Sequence, residues 1–207
     1  MTRRIPLHVY HRRPFTPAHR GNSFRGLREA IDTHHNAIDL DALLSADGVW
    51  MNLHWQILAK DGYRDPKGIY DLRETPVHEI PAADLLRFRA KDRNGRTYRI
   101  RTMRQMFRRI NRLANRTGVR LTACVELKVE WRFGVTDTYD SLLADAGRYK
   151  VPLIVMSQPR GGVGVRYLHA AQDAGAATML MQRGPVTAEQ RAAVRYIKTG
   201  PIVRAAR

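Results

Sequence analysis

The chain has 207 residues, 43% of them hydrophobic, which allows one globular domain with a sizeable core. Its formal net charge of +17 favours anionic partners, namely phosphate esters, nucleic acids or anionic lipid surfaces. No run of about 18 apolar residues occurs, so we expect no transmembrane segment, and the basic N-terminus lacks the apolar stretch of a signal peptide. The single cysteine, Cys124, excludes an intrachain disulfide and fits a reducing compartment, so we expect a cytoplasmic protein.

The first part of the chain predicts a strand, a helix and two further strands. A short strand is expected to end at residues 15–19, and a helix follows over 23–33, where Ser23 is a suitable N-cap. Alternating character predicts a strand over 37–44, and an apolar strand over 49–53 follows a turn. This order is typical of a parallel βα unit with an added strand.

An irregular insertion is predicted after the second strand. Residues 55–97 are polar and interrupted by prolines and glycines, with one short helix expected over 82–88. Residues 102–117 then predict a long helix, because apolar side chains recur at three- and four-residue spacing. The apolar face consists of Met103, Met106, Phe107, Ile110 and Leu113. Arginines cover the opposite face, which we interpret as solvated surface rather than a binding surface.

The second half of the chain alternates strands with helices. The predicted strands are 120–129, 152–157, 177–182 and 201–205, and the predicted helices are 137–149, 163–174 and 187–197. This alternation predicts parallel βα units with right-handed crossovers, in a doubly wound sheet or a barrel. No linker or repeat divides the chain, so we expect a single domain over residues 1–207.

Two clusters in the first part carry candidate chemistry. In His19-Arg20-Gly21 the glycine permits a tight turn and the arginine can bind a phosphate through two hydrogen bonds. Taken alone, however, the tripeptide is a weak signal, and a surface His–Arg pair is its default explanation. Asp39 and Asp41 lie two residues apart on a predicted strand, so they share a face. Adjacent carboxylates repel each other unless a cation lies between them, and a hard divalent cation suits them. An exposed strand end is the alternative.

Two further positions add an imidazole and an ion pair. His54 follows the predicted strand over 49–53 and could act as an acid or base at the end of the sheet, although a lone histidine there is more often structural. Glu126 and Lys128 share one face at the end of a buried strand. Such residues are rarely buried unless they are paired or bind a ligand, so a plain ion pair is the alternative to a site.

In their order along the chain, these motifs resemble the glycerophosphodiester phosphodiesterase family, phospholipase-C-like phosphodiesterases with a TIM-barrel fold. The family pattern has a His-Arg-Gly strand end, a Glu-x-Asp strand, a Thr-x-Asp-Gly turn before a strand ending in His-Asp, and a later Glu-x-Lys strand. The corresponding motifs here are His19-Arg20-Gly21, Asp39-Leu40-Asp41, Ser45-Ala46-Asp47-Gly48 with His54, and Glu126-Leu127-Lys128. The resemblance covers residues 15–158.

The resemblance implies a metal-dependent phosphoric diester hydrolase of lipid metabolism. Such an enzyme would cleave glycerophosphodiesters or related small phosphodiesters to an alcohol and a phosphomonoester. By resemblance, His19 and His54 would be the acid–base pair, and Arg20 and Lys128 would bind the phosphate. One divalent cation, Mg²⁺ or Ca²⁺, would be the cofactor, because oxygen ligands suit these ions better than Zn²⁺. Its ligands would be Asp39, Asp41 and Glu126.

The sequence departs from the family pattern in its site and in its length. Asp39 replaces the family's glutamate, Asn22-Ser23 lacks the glutamate that usually follows His-Arg-Gly, and Trp55 replaces the aspartate after His54. We count about six barrel strands, so the predicted TIM-barrel-like fold is incomplete. Because an incomplete barrel exposes two sheet edges, we expect a homo-oligomer in which a second copy covers the opening, with an open sheet or a different docked protein as alternatives.

Two other functions are consistent with these observations. A truncated barrel without turnover could serve as a binding or scaffold module, since two strands of the family fold have no counterpart. A basic phosphodiesterase acting on nucleic acid would explain the charge of +17, although we do not favour it because an acidic small substrate explains the charge as well.

Overall fold

The computed structural model describes residues 7–10, 23–91, 95–128, 139–157, 163–181, 188, 196–199 and 202–205. The strands in this part of the chain are β1 (Leu7–Tyr10), β2 (Ala37–Leu44), β3 (Trp50–Asn52), β4 (Arg89–Lys91), β5 (Thr97–Arg99), β6 (Thr122–Leu127), β7 (Leu153–Ser157), β8 (Ala177–Met181), β9 (Tyr196–Thr199) and β10 (Ile202–Ala205). The α-helices are α1 (Phe24–Asp32), α2 (Ala82–Leu85), α3 (Met103–Thr117), α4 (Tyr139–Arg148) and α5 (Val163–Asp173), and Leu58–Asp61 and Val77–Glu79 are 3₁₀ turns.

Seven strands form a closed ring. Going round it, β1, β2, β6, β7, β8 and β9 are neighbours and all run parallel, and β10 is antiparallel to both β9 and β1. The ring therefore has six parallel strands and one reversed strand. The predicted TIM-barrel-like parallel βα fold with about six barrel strands is confirmed. The strand β3 lies outside the ring, antiparallel to the end of β2.

The expectation of two exposed sheet edges is wrong. Leu7 of β1 pairs with Val203 of β10, while Val9 of β1 pairs with Ala37 of β2. Among the strands that the structure describes, the ring is thus closed by backbone hydrogen bonds. The predicted homo-oligomer was based on an open edge that a second copy would cover. The closed ring removes this reason for expecting it.

The predicted elements at both ends of the chain differ from the structure. The strand predicted to end at residues 15–19 lies outside the described residues, and the short strand β1, which the sequence did not predict, is the neighbour of β2. The helix predicted over 187–197 is wrong at its end, because Tyr196–Thr199 is strand β9. The last predicted strand is present as β10, but it runs antiparallel to its neighbours.

Side chains of β2 alternate between two cores on opposite sides of the barrel wall. Ile38, Leu40 and Ala42 pack outside the barrel with the apolar face of α3. Ala37, on the other face, packs inside the barrel with Cys124. The other buried members of this interior core are Val9, Ile154, Met156 and Met179. Asp39 and Asp41 have the same strand parity as Ala37, so they belong to the interior face.

The helices α1 and α3 begin as the sequence predicts. The Ser23 hydroxyl accepts a hydrogen bond from the backbone N–H of Gly26 (3.1 Å) at the start of α1. Thr102 and Gln105 form a reciprocal capping box at the start of α3. The five apolar residues predicted to line one face of α3 are all buried. Within the described part of the chain, no helix is long and apolar enough to cross a membrane.

The insertion over residues 55–97 has a hydrophobic core of its own. Leu58, Val77, Leu85 and Phe88 are completely buried in it. The same core includes Leu43 of β2 and two residues at β3, Met51 and Leu53, so it packs on the carboxyl end of β2. The insertion contains the predicted short helix, α2, and also a hairpin of β4 and β5 that the sequence did not predict.

Candidate active site

Three carboxylates lie on two neighbouring barrel strands. Asp39 and Asp41 belong to β2 and Glu126 to β6, and their residues are 7%, 7% and 6% exposed. The parallel register places Asp41 directly beside Glu126 and Asp39 beside Cys124. Since Cys124 is part of the interior core, Asp39 lies level with that core, and Asp41 and Glu126 lie one layer further toward the carboxyl ends of the strands. That end is where barrel enzymes carry their active sites.

The ammonium group of Lys128 joins two of these carboxylates. Its Nζ lies 2.6 Å from Oε1 of Glu126 and 3.3 Å from Oδ1 of Asp41. The backbone N–H of Lys128 donates to the carbonyl oxygen of Ala42 (2.9 Å), which extends the β2–β6 pairing and fixes the start of the lysine side chain. The structure therefore brings together Asp41, Glu126 and Lys128 in one ion-paired group.

Burial and charge act in opposite directions on Glu126. Removal from water is the largest effect and raises the pKa of the Glu126 carboxyl above its ordinary value. Lys128 opposes this rise, whereas the neighbouring charges of Asp41 and Asp39 add to it. The three carboxylates repel one another in this buried place, so cationic groups such as the Lys128 ammonium stabilise them.

The donor chemistry of this group suits a hard divalent cation, but its present geometry is that of an ion pair. Carboxylate oxygens are the ligands that Mg²⁺ and Ca²⁺ prefer. Among the residues that the structure describes, however, no three His, Cys, Asp or Glu side chains converge as metal ligands would. The Lys128 ammonium lies between Asp41 and Glu126. A bound cation would require these side chains to rearrange around it.

The predicted histidines differ in what the structure describes of them. The backbone N–H of Leu53 donates to the carbonyl oxygen of Asp41 in β2 (3.1 Å), and His54 is the next residue in the chain after Leu53. The His54 side chain is half-buried, and its ring lies edge-on to the Trp55 ring with 4.3 Å between centroids. His19 and Arg20 lie outside the described residues, as does the glycine that follows them.

A cavity lined by arginines was missed by the sequence analysis. It has a volume of about 300 Å³ and lies between the start of α1 and the segment that leads into α3. Its lining residues are Ser23, Phe24, Arg25, Arg96, Thr97, Tyr98, Arg99 and Arg101. The spacing of arginines over residues 96–101 is a signal of clustered positive charge in the sequence. The contribution of Arg25, more than 70 residues earlier, depends on the fold.

These features define a class of protein by its fold, a parallel βα barrel with acidic and basic side chains at the carboxyl ends of its strands. Solved structures of other proteins share the fold, and two of them are phosphodiesterases by their provisional names. One, from Silicibacter pomeroyi DSS-3, is provisionally named a glycerophosphoryl diester phosphodiesterase (TM-score 0.65, 18% identity, 82% of this chain and 63% of that one). The other, from Galdieria sulphuraria, is provisionally named a glycerophosphodiester phosphodiesterase (TM-score 0.65, 14% identity, 93% of this chain and 74% of that one).

At these identities the likeness concerns the fold, and it confirms the predicted resemblance at that level. The chain spans 63% of the length of the Silicibacter protein, in agreement with a barrel of fewer parallel strands than the usual eight. No protein-family model matches the chain, and no curated protein matches it.

Proposed function

We propose that the chain is a cytoplasmic, metal-dependent phosphodiesterase that hydrolyses glycerophosphodiesters or related small phosphodiesters to an alcohol and a phosphomonoester. The observation that carries this proposal is the group of Asp41, Glu126 and Lys128 at the carboxyl ends of adjacent barrel strands. The fold shared with the Silicibacter and Galdieria proteins supports it, because those proteins are provisionally named as phosphodiesterases of this kind.

Each predicted residue has a distinct role in this proposal. Lys128 and Arg20 bind the non-bridging oxygens of the phosphodiester and stabilise the charge that develops on them. His19 and His54 exchange protons with the attacking water and the leaving alkoxide. A divalent cation, Mg²⁺ or Ca²⁺, would polarise a phosphoryl oxygen when bound. Its ligands would be Asp39, Asp41 and Glu126.

A second candidate function is a binding module without turnover. The ion pairs of Lys128 with Asp41 and Glu126 favour it, because they give these two carboxylates an ammonium partner in place of a metal ion. In this case the barrel would bind a phosphate-bearing molecule and release it unchanged.

A phosphodiesterase assay with matched variants separates the two candidates. Glycerophosphodiesters and a generic aryl phosphodiester are incubated with the protein in Mg²⁺, Ca²⁺ or EDTA. We expect metal-dependent hydrolysis that falls by at least about 100-fold in Glu126→Gln, since a ligand is lost, and by about 10²–10⁴-fold in His54→Ala. The exposed residue Glu74 supplies the control, Glu74→Gln, which should match the wild type.

Turnover that is absent under all metal conditions, with retained binding of the diester, would favour the binding module. Hydrolysis that is the same in EDTA as in Mg²⁺ or Ca²⁺ would contradict the metal-dependent mechanism. A substrate series that includes single-stranded DNA tests the nucleic-acid alternative, for which the rate should fall steeply as salt is raised.

A further inference from the structure

The arginine-lined cavity is a second concentration of binding chemistry, separate from the carboxylate group. Four arginines, Arg25, Arg96, Arg99 and Arg101, line a space of about 300 Å³. Tyr98 adds a hydroxyl-bearing ring to the same lining. Guanidinium groups bind phosphate, sulfate and carboxylate through paired hydrogen bonds. The volume is at the lower end of the range of small-molecule sites, which is roughly 300–1,000 Å³.

Arg25, Arg99 and Arg101 lie together in the wall of this cavity. In the part of the chain that the structure describes, no ion pair joins Arg25, Arg99 or Arg101 to an acidic side chain. Burial and the charge of Arg99 lower the pKa of Arg101. The guanidinium carbon of Arg101 lies 4.9 Å from the centroid of the Phe24 ring, and that of Arg109 lies 5.5 Å from it. Positive charges held close together repel one another, and a bound anion would relieve this repulsion.

Backbone hydrogen bonds connect the cavity to the carboxylate strand. The N–H of Leu53 donates to the carbonyl oxygen of Asp41 (3.1 Å), and the N–H of Asn52 donates to the carbonyl oxygen of Arg101 (2.8 Å). The Arg101 segment is thus two backbone pairings away from Asp41. At a spacing of 4.7–4.9 Å for each pairing, the two backbones are about 10 Å apart. A single small molecule can span this distance.

We infer that the cavity binds a second anionic group of the phosphodiester substrate, carried by its alcohol part. This inference rests on the proposed function, and it specifies the class of phosphodiester as one whose alcohol part carries an anionic group. The scissile phosphodiester lies at Lys128 and the carboxylates, while a phosphate, sulfate or carboxylate on the leaving alcohol contacts Arg99, Arg101 and Arg25. The substrate is a small molecule with two separated anionic groups, because the space has a volume of only about 300 Å³.

Direct binding of inorganic anions tests the cavity without requiring turnover. Phosphate and pyrophosphate are titrated into the protein in EDTA by calorimetry, for the wild type, for Arg99→Gln/Arg101→Gln, and for Arg108→Gln/Arg112→Gln. The last pair changes net charge equally at two exposed α3 residues that do not line the cavity. We expect pyrophosphate affinity to fall by at least about tenfold in the cavity variant, as loss of a charged ion-pairing group usually does, and to change less than twofold in the control.

Thermal unfolding shows whether the cavity variant is folded. Removal of clustered like charges should leave its melting temperature in the absence of anions equal to or above that of the wild type. Pyrophosphate should then raise the melting temperature of the wild type and the control more than that of the cavity variant. Equal anion affinity in the two double variants would overturn the inference.

Substrate comparison tests the assigned substrate class. For a diester with a phosphate-bearing alcohol, KM should rise at least about tenfold in Arg99→Gln/Arg101→Gln, with kcat unchanged, whereas KM for a diester of a neutral alcohol should change less than twofold. Equal effects on both diesters would refute a subsite for the alcohol part. Loss of anion binding in a protein that shows no turnover would instead support the cavity and reject the proposed hydrolysis. A single-stranded oligonucleotide that binds more tightly than pyrophosphate, and depends on the same arginines, would overturn the small-molecule assignment.

Discussion

The ammonium group of Lys128 forms ion pairs with two carboxylates of the candidate active site. Lys128 lies within ion-pair distance of Asp41 and Glu126, and all three side chains are largely buried. When a buried carboxylate loses its cationic partner, the free-energy cost of removing it from water is no longer offset by the ion pair. Lys128 therefore has two functions in our proposal, since it stabilises the buried carboxylates and binds the substrate phosphate.

Replacement of this lysine should destabilise the fold. We expect Lys128→Met to lower the free energy of unfolding by about 3 kcal/mol, because it leaves two buried carboxylates without their ammonium partner. The addition of Glu126→Gln to this variant should restore part of the loss, since one of the two charges is then removed. Urea denaturation measures both changes. The exposed lysine control, Lys67→Met, should remain within about 0.5 kcal/mol of the wild type.

The Asp47 carboxylate should contribute stability at neutral pH that is lost at low pH. Its carboxylate accepts hydrogen bonds from the Ser45 hydroxyl (2.6 Å) and from the backbone N–H of Ala82 (2.9 Å), and so joins the turn after β2 to the start of α2. These bonds lower the pKa of Asp47 below its ordinary value of 3.8. A depressed pKa contributes stability above pH 3.8 that is lost as the pH falls through the lower folded-state value.

We expect Asp47→Asn to lower the free energy of unfolding at pH 7 by about 1 kcal/mol, a value reduced for the exposure of this side chain. The difference in the free energy of unfolding between variant and wild type should shrink as the pH falls below 3.8, because the wild-type carboxylate then becomes neutral, as the asparagine already is. Denaturation curves at pH 7 and at about pH 3 measure this difference. An equal difference at both pH values would show that ionisation of Asp47 is not involved.

The two-residue period of strands was sufficient to predict which site residues share a face. It predicted that Asp39 and Asp41 lie on one face of their strand, and that Glu126 and Lys128 lie on one face of theirs. It could not predict that Lys128 lies against Asp41, because that contact depends on the register of two strands more than 80 residues apart. The arginine cavity was missed for the same reason, since its wall combines α1 with a distant hairpin.

At the scale of elements, the insertion is a small unit with its own core at the end of β2 and β3. Phe88 is completely buried in this core, and its ring packs edge-on against Tyr70 with 6.0 Å between centroids. The core between α3 and the barrel contains none of these side chains. The two regions should therefore respond separately to mutation.

We expect Phe88→Ala to lower the free energy of unfolding of the insertion by about 3–5 kcal/mol, because it leaves a cavity in a small core. Hydrogen exchange should then become faster over residues 55–100, while protection of α3 and β6 is retained. Phe107→Ala, in the core between α3 and the barrel, is the matched variant and should reduce protection of the barrel itself. Uniform loss of protection in Phe88→Ala would show that the insertion and the barrel unfold as one unit.

The elements with strong local signals were predicted well, and the short ones were not. The helix α3 was predicted to within one residue, because its apolar side chains recur at a regular helical spacing. The strand β1 has four residues between basic segments, too few for a period to be detected. Residues 196–197 continue an alanine- and arginine-rich stretch with helical character, but pairing with β8 places them in a strand.

At the scale of the whole molecule, the reversed strand β10 completes a ring that has fewer than eight strands. It pairs through four residues with β9 and through two with β1. A barrel that lacks strands would otherwise present two unpaired edges, which are sites of association between chains. The single antiparallel strand removes both edges at once.

Truncation of the chain after Gly200 should therefore cause self-association. Without β10, the edges of β1 and β9 lose their partner, and we expect concentration-dependent oligomers in sedimentation velocity experiments. The full chain at the same concentrations is the control and should sediment as a single monomeric species. Association of the full chain to the same extent would show that β10 does not protect these edges.

The pairing of β1 with β10 also has a consequence for the time course of synthesis. Leu7 and its partner Val203 are 203 − 7 = 196 residues apart, nearly the whole length of the chain. At a translation rate of about 5–20 residues per second, the ribosome needs on the order of 10–40 s between making one and making the other. During that interval the first strand can pair with β2, but its other edge has no partner from its own chain. We therefore expect a nascent chain of this protein to be prone to association through this edge until β10 has emerged.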